Sequence, residues 1–290
     1  LYLARGAQIG GPITELVVNQ VTRAGFASET YLLSDFDNMG FPDHKFYIFA
    51  SAYKIADKTR ESIKKKLENQ GSSALFLYAQ GYFDDDGSRI GNISEMCSMK
   101  LAKLSGEKRV ELSLSDNFVS SGAPKQIRFE TKPYKINPVF YVDDPDAQVL
   151  GKISGTDLTG LAMKKVGNVK YFYSAAPGSC YQVLRNIARD ANVHIYCDSG
   201  DFILANESFL VIHSTSDGIK EIRLPKKCDV YEVFDEKLIG RNLNRFQIKM
   251  QKAVTKIFFL GDLKQWPKSQ SAAMTSSKTL EQLKKNNMFF

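Results

Sequence analysis

The sequence lacks the features that define membrane-spanning and secreted chains. No stretch approaches the roughly 20 consecutive apolar residues that a membrane span requires. The first residues do not form a signal peptide, since Arg5 directly follows four apolar residues. The sequence also has no initiator methionine at residue 1, so we expect it to be a fragment or a processed product. We expect no membrane partner.

Metal-binding cysteine and histidine patterns are absent as well. The four cysteines form no Cys-x-x-Cys pair and stand near no histidine pair: Cys97, Cys180, Cys197 and Cys228. A structural zinc site needs four converging ligands, usually built from closely spaced pairs. We therefore expect no metal and no cofactor, with buried free thiols as the default. A disulfide between Cys197 and Cys228 stays open, and with it the choice between a cytoplasmic and a periplasmic protein.

Positive charge is present but spread along the chain. The formal net charge is +7, and the densest basic run, residues 64–66, falls on a predicted amphipathic helix where lysines make a solvated face. No zinc-finger, helix-turn-helix or aromatic RNA-binding pattern accompanies the charge. We therefore expect no nucleic-acid partner.

The first two-thirds of the chain alternate helix and strand signals. Helices are predicted at 13–24, at 57–70 with Asp57 as its cap and Gly71 after its end, and at 179–191 with Ser179 as its cap. Strands are predicted at 31–33, 44–50, 74–79, 126–131, 139–142, 149–153, 169–174 and 193–197. Short strands separated by helices of 10–15 residues predict right-handed crossovers and a parallel sheet.

After about residue 200 the apolar pattern changes to a period of two. Phe209, Val211 and His213 share one predicted strand face, and further strands are predicted around 222–224, 230–234, 246–250 and 254–260. Turn-forming residues, among them Pro225 and Gly240, separate them. This spacing predicts a small antiparallel sandwich or barrel. We expect an α/β domain at 1–198, a small all-β domain at 199–262 and a tail at 263–290.

Several ordered motifs resemble the C-terminal portion of β-galactosidase-type (family 42-like) glycoside hydrolases. They are residues 23–26 (RAGF), 31–35 (YLLSD), 41–45 (FPDHK), 173–177 (YSAAP), 184–189 (LRNIAR), 193–196 (VHIY) and 209–213 (FLVIH) with 224–225 (LP). In that family a catalytic barrel precedes an amidotransferase-like, flavodoxin-like trimerisation domain and a small β domain. The resemblance implies a doubly wound, mostly parallel α/β fold whose first strand is missing or reduced to residues 1–3.

An amidotransferase-like fold raises the question of a nucleophile. Such enzymes place a cysteine at the sharp turn after a central strand. The matching turn here, residues 78–81 (YAQG), contains neither cysteine nor serine, and Cys97 lies sixteen residues beyond Gly81. His194 falls within a predicted strand, which favours a buried, satisfied histidine over a catalytic base. We predict no catalytic residue.

The carboxylates are better explained as turns than as a hydrolase pair. A glycosidase needs two carboxylates about 5–9.5 Å apart across the scissile bond. The runs at 84–86 and 143–144 precede glycine or proline and read as solvated turns, and neither continues as a calcium loop. Asp198 and Asp201 lie where the apolar pattern changes to a period of two. They either face a sugar site or form the interdomain turn, and we favour the turn. The resemblance places the catalytic carboxylates in an upstream barrel.

These observations favour a noncatalytic accessory region of a carbohydrate-active hydrolase. The expected partners are a second copy of the chain, giving a dimer or trimer, and the upstream barrel, with carbohydrate as a further candidate. Two alternatives stay open: a carbohydrate-binding module on the β domain, and a self-contained amidotransferase or peptidase-like enzyme.

Overall fold

The computed structural model describes residues 16–37, 40–128 and 135–262. Within them the chain forms a π-helical turn (Leu16–Val21), two 3-10 turns (Leu33–Asp35 and Phe118–Ser120) and the helices α1 (Asp57–Gln70), α2 (Ile90–Cys97) and α3 (Tyr181–Asp190). The strands in chain order are β1 (Phe46–Phe49), β2 (Ser73–Leu77), β3 (Leu101–Leu104), β4 (Lys108–Arg109), β5 (Leu112–Leu114), β6 (Gln126–Ile127), β7 (Lys135–Ile136), β8 (Val139–Val142), β9 (Gln148–Ile153), β10 (Thr159–Val166), β11 (Val169–Ser174), β12 (Phe202–Ala205), β13 (Phe209–His213), β14 (Gly218–Glu232), β15 (Lys237–Met250) and β16 (Thr255–Leu260).

Three parallel strands form one end of the first sheet. β2 pairs in parallel with β1 on one side and with β11 on the other. Every residue of β2 is buried, as expected of a strand covered on both faces. The crossover helix α1 buries Ile63 and Leu67 and ends at Gly71, whose left-handed φ of 64° confirms the predicted stop. Asp57 is not the cap: it lies in the first turn and pairs with Arg60 at 2.7 Å.

The rest of this sheet is antiparallel. Its order is β1-β2-β11-β10-β9-β5-β6, with β8 pairing both β10 and β3 beside that path. The reason lies between β10 and β11, where only Gly167 and Asn168 connect the strands. A connection this short joins antiparallel neighbours and leaves no room for a crossover helix. The sheet is therefore mixed, its parallel part is limited to three strands, and the doubly wound arrangement is not confirmed.

Two of the predicted strands are wrong. Residues 31–33 run into the 3-10 turn at Leu33–Asp35, and Leu32 is exposed where a sheet strand would bury it. Residues 193–197 join no ladder, and the chain bends at Tyr196. Tyr196 instead makes two single backbone hydrogen bonds. Its N–H donates to the Gly25 carbonyl at 2.7 Å, and its carbonyl accepts from the Arg223 N–H at 2.8 Å. The second predicted crossover unit around 179–191 is therefore wrong.

Other predicted elements are partly confirmed. α3 begins at Tyr181 after Cys180, so Ser179 is not its cap. β6 forms at Gln126–Ile127, but the end of the strand predicted to residue 131 lies outside the described residues. Outside them also lie Pro12, Ile13, the reduced first strand at 1–3 and the tail at 263–290.

The second sheet has five antiparallel strands in the order β12-β13-β16-β14-β15. The alternation in β13 is confirmed, since Leu210 and Ile212 are buried. The regions around 222–224 and 230–234 were predicted as separate strands, but β14 runs through both. Pro225 lies where the β14–β15 register shifts, and a bulge tolerates a proline that cannot donate. The described residues form one sheet here, not a two-sheet sandwich.

Buried apolar side chains form two clusters. One draws on residues from Ala24 to Ile195, and the other on residues from Tyr196 to Leu260. The segment around 195–201 lies between them and contacts the turn at Gly25. In the described part of the chain, no helix is both long and apolar enough to cross a membrane.

Replacing Gly25 with alanine tests this contact. Gly25 has φ of 89°, and a Cβ there would stand 2.0 Å from the Cys197 carbonyl oxygen. Gly106 has φ of 90° with nothing within 4 Å of the added carbon, which makes it a matched control. We expect Gly106→Ala to lose only the left-handed penalty of about 1–2 kcal/mol and Gly25→Ala to lose clearly more. Urea unfolding followed by circular dichroism measures both, and equal losses would contradict the close approach.

Candidate functional site

The turn after β2 is the position where an amidotransferase-like fold would carry its nucleophile. Tyr78 occupies it with a left-handed φ of 64°, which is strained for a bulky residue. The strain is held by hydrogen bonds to β11: the Tyr78 N–H donates to the Ser174 carbonyl at 2.7 Å, and the Tyr173 hydroxyl donates to the Tyr78 carbonyl at 2.9 Å. The backbone thus makes a sharp left-handed bend after β2 with a tyrosine at its tip.

Tyr78 is not suited to act as that nucleophile. Its side chain is buried, and its hydroxyl donates to the Pro138 carbonyl at 2.8 Å. Burial raises the pKa of Tyr78 to about 12, so the phenol stays protonated at neutral pH. The neighbouring Gln80 is fully buried and accepts from the Ala52 N–H at 2.6 Å, linking the carboxyl ends of β1 and β2. Both side chains at this turn are therefore engaged in structural bonds.

Cys97 and His194 do not form a catalytic pair. Cys97 is fully buried at the end of α2, where burial raises the pKa of its thiol to about 12. His194 is half-buried, and its Nε2 lies 2.9 Å from the Arg223 carbonyl. Its ring packs edge-on against Tyr196. Each residue therefore has its own local partners. His194 has a hydrogen-bond partner, as predicted, but it is half-buried and not buried.

All four cysteines are free, which answers the open question of a disulfide between Cys197 and Cys228. Cys197 is buried, while Cys180 and Cys228 are half-buried. Burial raises the pKa of both half-buried thiols. No group of three or more potential metal ligands occurs in the described ranges.

The acidic run at 84–86 is only partly the solvated turn that was predicted. Asp85 and Asp86 are exposed, but Asp84 is buried. The Asp84 carboxylate accepts from the Arg89 guanidinium, from the Asn92 amide at 2.8 Å and from the Asp86 N–H at 2.9 Å. The Arg89 bond, followed by that of Asn92, holds the pKa of Asp84 well below its usual range. This carboxylate stabilises its loop and stays ionised, so it could not serve as a general acid.

The acidic run at 143–144 has the same character. The Asp144 side chain is nearly buried and lies 2.8 Å from the Lys164 ammonium. Burial alone would raise the pKa of Asp144, but the bonds from Lys164 and from the Lys100 and Asp146 N–H groups lower it overall. Asp143 is exposed and faces Lys100 at 3.4 Å. This run closes a turn between β8 and β9.

Asp198 lies at the junction of the two clusters and is surrounded by arginines. Its carboxylate accepts from Arg189 and, at 2.7 Å, from Arg223 of β14. Its backbone carbonyl accepts from Arg185 of α3 at 2.6 Å. The carboxylate therefore links α3 to the second sheet, which supports the interdomain-turn interpretation over a sugar site.

Asp201 is the most enclosed carboxylate of the junction. It forms a buried ion pair with Lys220 of β14 at 3.0 Å. Ser199 donates to its Oδ2, and the Thr215 N–H donates to its Oδ1 at 2.7 Å. Burial alone would raise the pKa of Asp201, but these donors lower it overall. The pair has no access to a substrate.

Sequence reasoning missed the basic partners of these carboxylates. Lys220 could have been detected from the sequence, because it lies on the buried face of β14 together with Ile222 and Leu224. A lysine on a buried strand face predicts a buried acidic partner. The burial of Arg185 was harder to predict from the sequence, because a helix of ten residues places several polar side chains near its buried face.

An open polar groove of about 660 Å³ lies at the amino ends of β2 and β11. Its lining residues are Asp43, His44, Lys45, Asn69, Gln70, Gly71, Ser72, Ser73, Asn168, Lys170, Asp190, Ala191 and Asn192. Ligands of open α/β sheets bind at the opposite, carboxyl ends. The charged groups here bond to neighbours, with Lys170 on Asp190 at 2.8 Å and Lys45 on the Asn192 carbonyl at 2.9 Å.

The fold is similar to part of several solved β-galactosidases. The enzyme from the haloarchaeon Halorubrum lacusprofundi superimposes with a TM-score of 0.56 at 10% identity, covering 86% of this chain and 36% of its own. The enzyme from Bacillus circulans sp. alkalophilus gives 0.53 at 14% identity, covering 76% and 34%. The enzyme from Rahnella sp. R3 gives 0.50 at 11% identity, covering 82% and 35%.

At these identities the likeness shows a shared fold. The chain spans about a third of the length of each of these enzymes. No protein-family model matches the sequence, and no curated protein sequence matches it significantly.

Thiol labelling tests the inertness of Cys97. In native protein at pH 8 we expect iodoacetamide to label Cys180 and Cys228 well before Cys97, because a thiol with a pKa near 12 is almost wholly protonated there. Peptide mass spectrometry after a time course measures each site, with urea-unfolded protein as the control in which all four label. Rapid labelling of Cys97 in the native state would instead favour the amidotransferase alternative.

Breaking the buried Asp201–Lys220 ion pair should lower the free energy of unfolding far more than breaking an exposed ion pair. Asp201→Asn leaves Lys220 charged and buried, and we expect a loss of about 3–5 kcal/mol of unfolding free energy. The matched control is Asp157→Asn, whose partner Lys152 lies 2.8 Å away at the surface, and little change is expected there.

The pH dependence of this pair has a defined sign. Since the folded pKa of Asp201 is lowered, its contribution is present above the unfolded pKa of about 3.9 and is lost as pH falls through the folded value. Urea titrations between neutral pH and pH 3 measure the difference in unfolding free energy between wild type and Asp201→Asn. If this difference stays constant across that range, the ion pair is not the source of the lost stability.

Proposed function

We propose that this chain is a noncatalytic structural and oligomerisation region of a glycoside hydrolase acting on β-galactosides or related carbohydrates. The observation that supports it best is the fold shared with three β-galactosidases over 76% or more of the chain. That shared fold accounts for only about a third of each enzyme. The ordered sequence motifs at 23–26, 173–177 and 209–213 resemble the same family.

The proposed domain organisation follows from the same resemblance. Residues 1–198 form an amidotransferase-like α/β domain of the doubly wound, flavodoxin-like class, with its first strand missing or truncated. Residues 199–262 form the small β domain, and 263–290 the tail. The two apolar clusters that meet at residues 195 and 196 support a boundary close to this point.

The noncatalytic role is supported by the state of each candidate residue. Tyr78 occupies the nucleophile turn as a buried hydrogen-bonding group, and Cys97 is enclosed with its pKa raised. Asp198 and Asp201 are occupied by arginine and lysine partners. In this proposal the catalytic carboxylates belong to a barrel upstream of Leu1, and the region supports that barrel and self-associates as a dimer or trimer.

Activity assays on two polypeptides test the proposal. The 290-residue chain should hydrolyse neither a chromogenic β-galactoside nor glutamine. The longer polypeptide that includes the coding sequence upstream of Leu1 should hydrolyse the galactoside, and Asp198→Asn within it should not abolish that activity. Turnover by the short chain that disappears in Cys97→Ser, or a start codon directly before Leu1, would overturn the proposal.

A further inference from the structure

The second sheet ends on one side in a long edge strand. Among the described strands, β15 is the last of the sheet order and pairs with β14 alone. Its 14 residues make it much longer than the average strand of about five or six. An edge strand presents a row of backbone N–H and carbonyl groups to which another strand can bond.

The regular part of this edge is residues 245–250. A register shift between β14 and β15 and the left-handed φ of 52° at Asn242 interrupt the strand before that point. Residues 245–250 then pair with residues 223–218 of β14 without a shift. This segment therefore has the continuous ladder geometry that an added strand requires.

The solvated face of this segment carries two cations. Arg245, Gln247 and Lys249 are exposed and share one face, because alternate residues of a strand point to the same side. Glu221 of β14 pairs with Gln247 across the ladder, but its carboxylate binds Arg223 at 3.0 Å. In the described part of the chain neither Arg245 nor Lys249 forms an ion pair.

The other face of the same segment is apolar. Phe246 and Met250 are buried and Ile248 is half-buried, and all three pack in the apolar cluster of the second sheet. A strand laid beside β15 would place its inward side chains next to Phe246 and Ile248. Apolar residues at those positions would extend the cluster.

A second copy of the same strand does not fit this edge. Antiparallel pairing of two copies centred on Gln247 would set Arg245 of each opposite Lys249 of the other. Like charges directly opposite one another destabilise a sheet, whereas opposite charges stabilise it. Charge complementarity therefore selects a partner strand with carboxylates at these two positions.

We infer that residues 245–250 bind an extended segment of another polypeptide as an added strand, with carboxylates opposite Arg245 and Lys249 and apolar residues opposite Phe246 and Ile248. The recognised pattern is acidic, apolar, any residue, apolar, acidic. It is the same in both directions, so it suits a parallel or an antiparallel strand. Backbone hydrogen bonds supply the affinity and the alternating side chains the specificity. This contact is independent of the proposed function.

Fluorescence anisotropy with labelled peptides tests the added strand. The probe is Ser-Glu-Val-Thr-Val-Glu-Ser, and we expect it to bind the 290-residue chain saturably. Lysine in place of both glutamates should weaken binding by at least about tenfold. Proline at the three central positions keeps the carboxylates but removes the N–H donors, so this peptide should also bind at least about tenfold more weakly. Equal binding of the proline peptide would show charge attraction without an added strand and would overturn the inference.

A charge exchange locates the site. Arg245→Glu combined with Lys249→Glu should reject the acidic peptide and bind the lysine peptide instead. The matched control combines Lys58→Glu with Lys65→Glu, two exposed lysines of α1, which changes the net charge equally and should leave binding unaltered. Circular dichroism checks that both variants fold. The same loss in the control, or no gain for the lysine peptide, would contradict the inference.

A protective role of the two cations makes a different prediction. Charged residues on edge strands also prevent edge-to-edge association. If that is their sole role, no peptide binds, while Arg245→Thr with Lys249→Thr raises the oligomeric state in light scattering, and this outcome would overturn the inference. If the inference holds, the acidic peptide slows amide hydrogen exchange within residues 245–250 and leaves the first sheet unchanged.

Discussion

The guanidinium of Arg185 joins three segments that are far apart in the chain. Its Nε donates to the Ala24 carbonyl at 2.8 Å, one Nη to the Asp198 carbonyl at 2.6 Å and the other to the Arg23 carbonyl at 3.0 Å. Burial lowers the pKa of Arg185, yet an arginine guanidinium remains charged in proteins. Removing it would leave three carbonyls at the junction without these donors, so the contact between the two apolar clusters depends on it.

The enclosed carboxylates of the described residues share one electrostatic character. A general acid needs a carboxyl whose pKa is raised towards neutrality. In this molecule the enclosed carboxylates have cationic partners, and the pKa values of Asp84, Asp144 and Asp201 are lowered. Burial, which alone would favour the protonated form, is outweighed in each case by donors. These groups therefore act as ionised acceptors that fix loops and strands.

The sequence predicted best where local pattern and tertiary environment agree. The apolar runs of β1 and β2, the helix that ends at Gly71 and the alternation in β13 were all evident. In the antiparallel part of the first sheet, the strands predicted at 139–142 and 149–153 are confirmed as β8 and β9. β10 was not predicted, because it carries Lys164 and Lys165 among its apolar residues and its pairing depends on the two-residue turn at Gly167.

The candidate site shows the same division. The sequence alone showed that residues 78–81 lack a cysteine. The left-handed conformation of Tyr78 and the burial of Asp84 depend on contacts with residues far along the chain or across a loop, which no local pattern encodes. Residues 193–197 look like a strand by composition, but the backbone of Tyr196 makes single bonds to Gly25 and to Arg223 of β14 and no ladder forms.

The pairing of β2 with β11 sets an order of events in folding. Ser73 pairs with Lys170, and Leu77 with Ser174, so the most buried strand of the molecule is completed by a segment almost a hundred residues later. During synthesis at about 5–20 residues per second, β2 must wait several seconds for that partner. Its five apolar or small residues are then an open edge, and contacts of such long sequence separation fold slowly. The early helix α1 can shield one side of β2 in that interval, which gives the local β1–α1–β2 unit a protective role before the sheet exists.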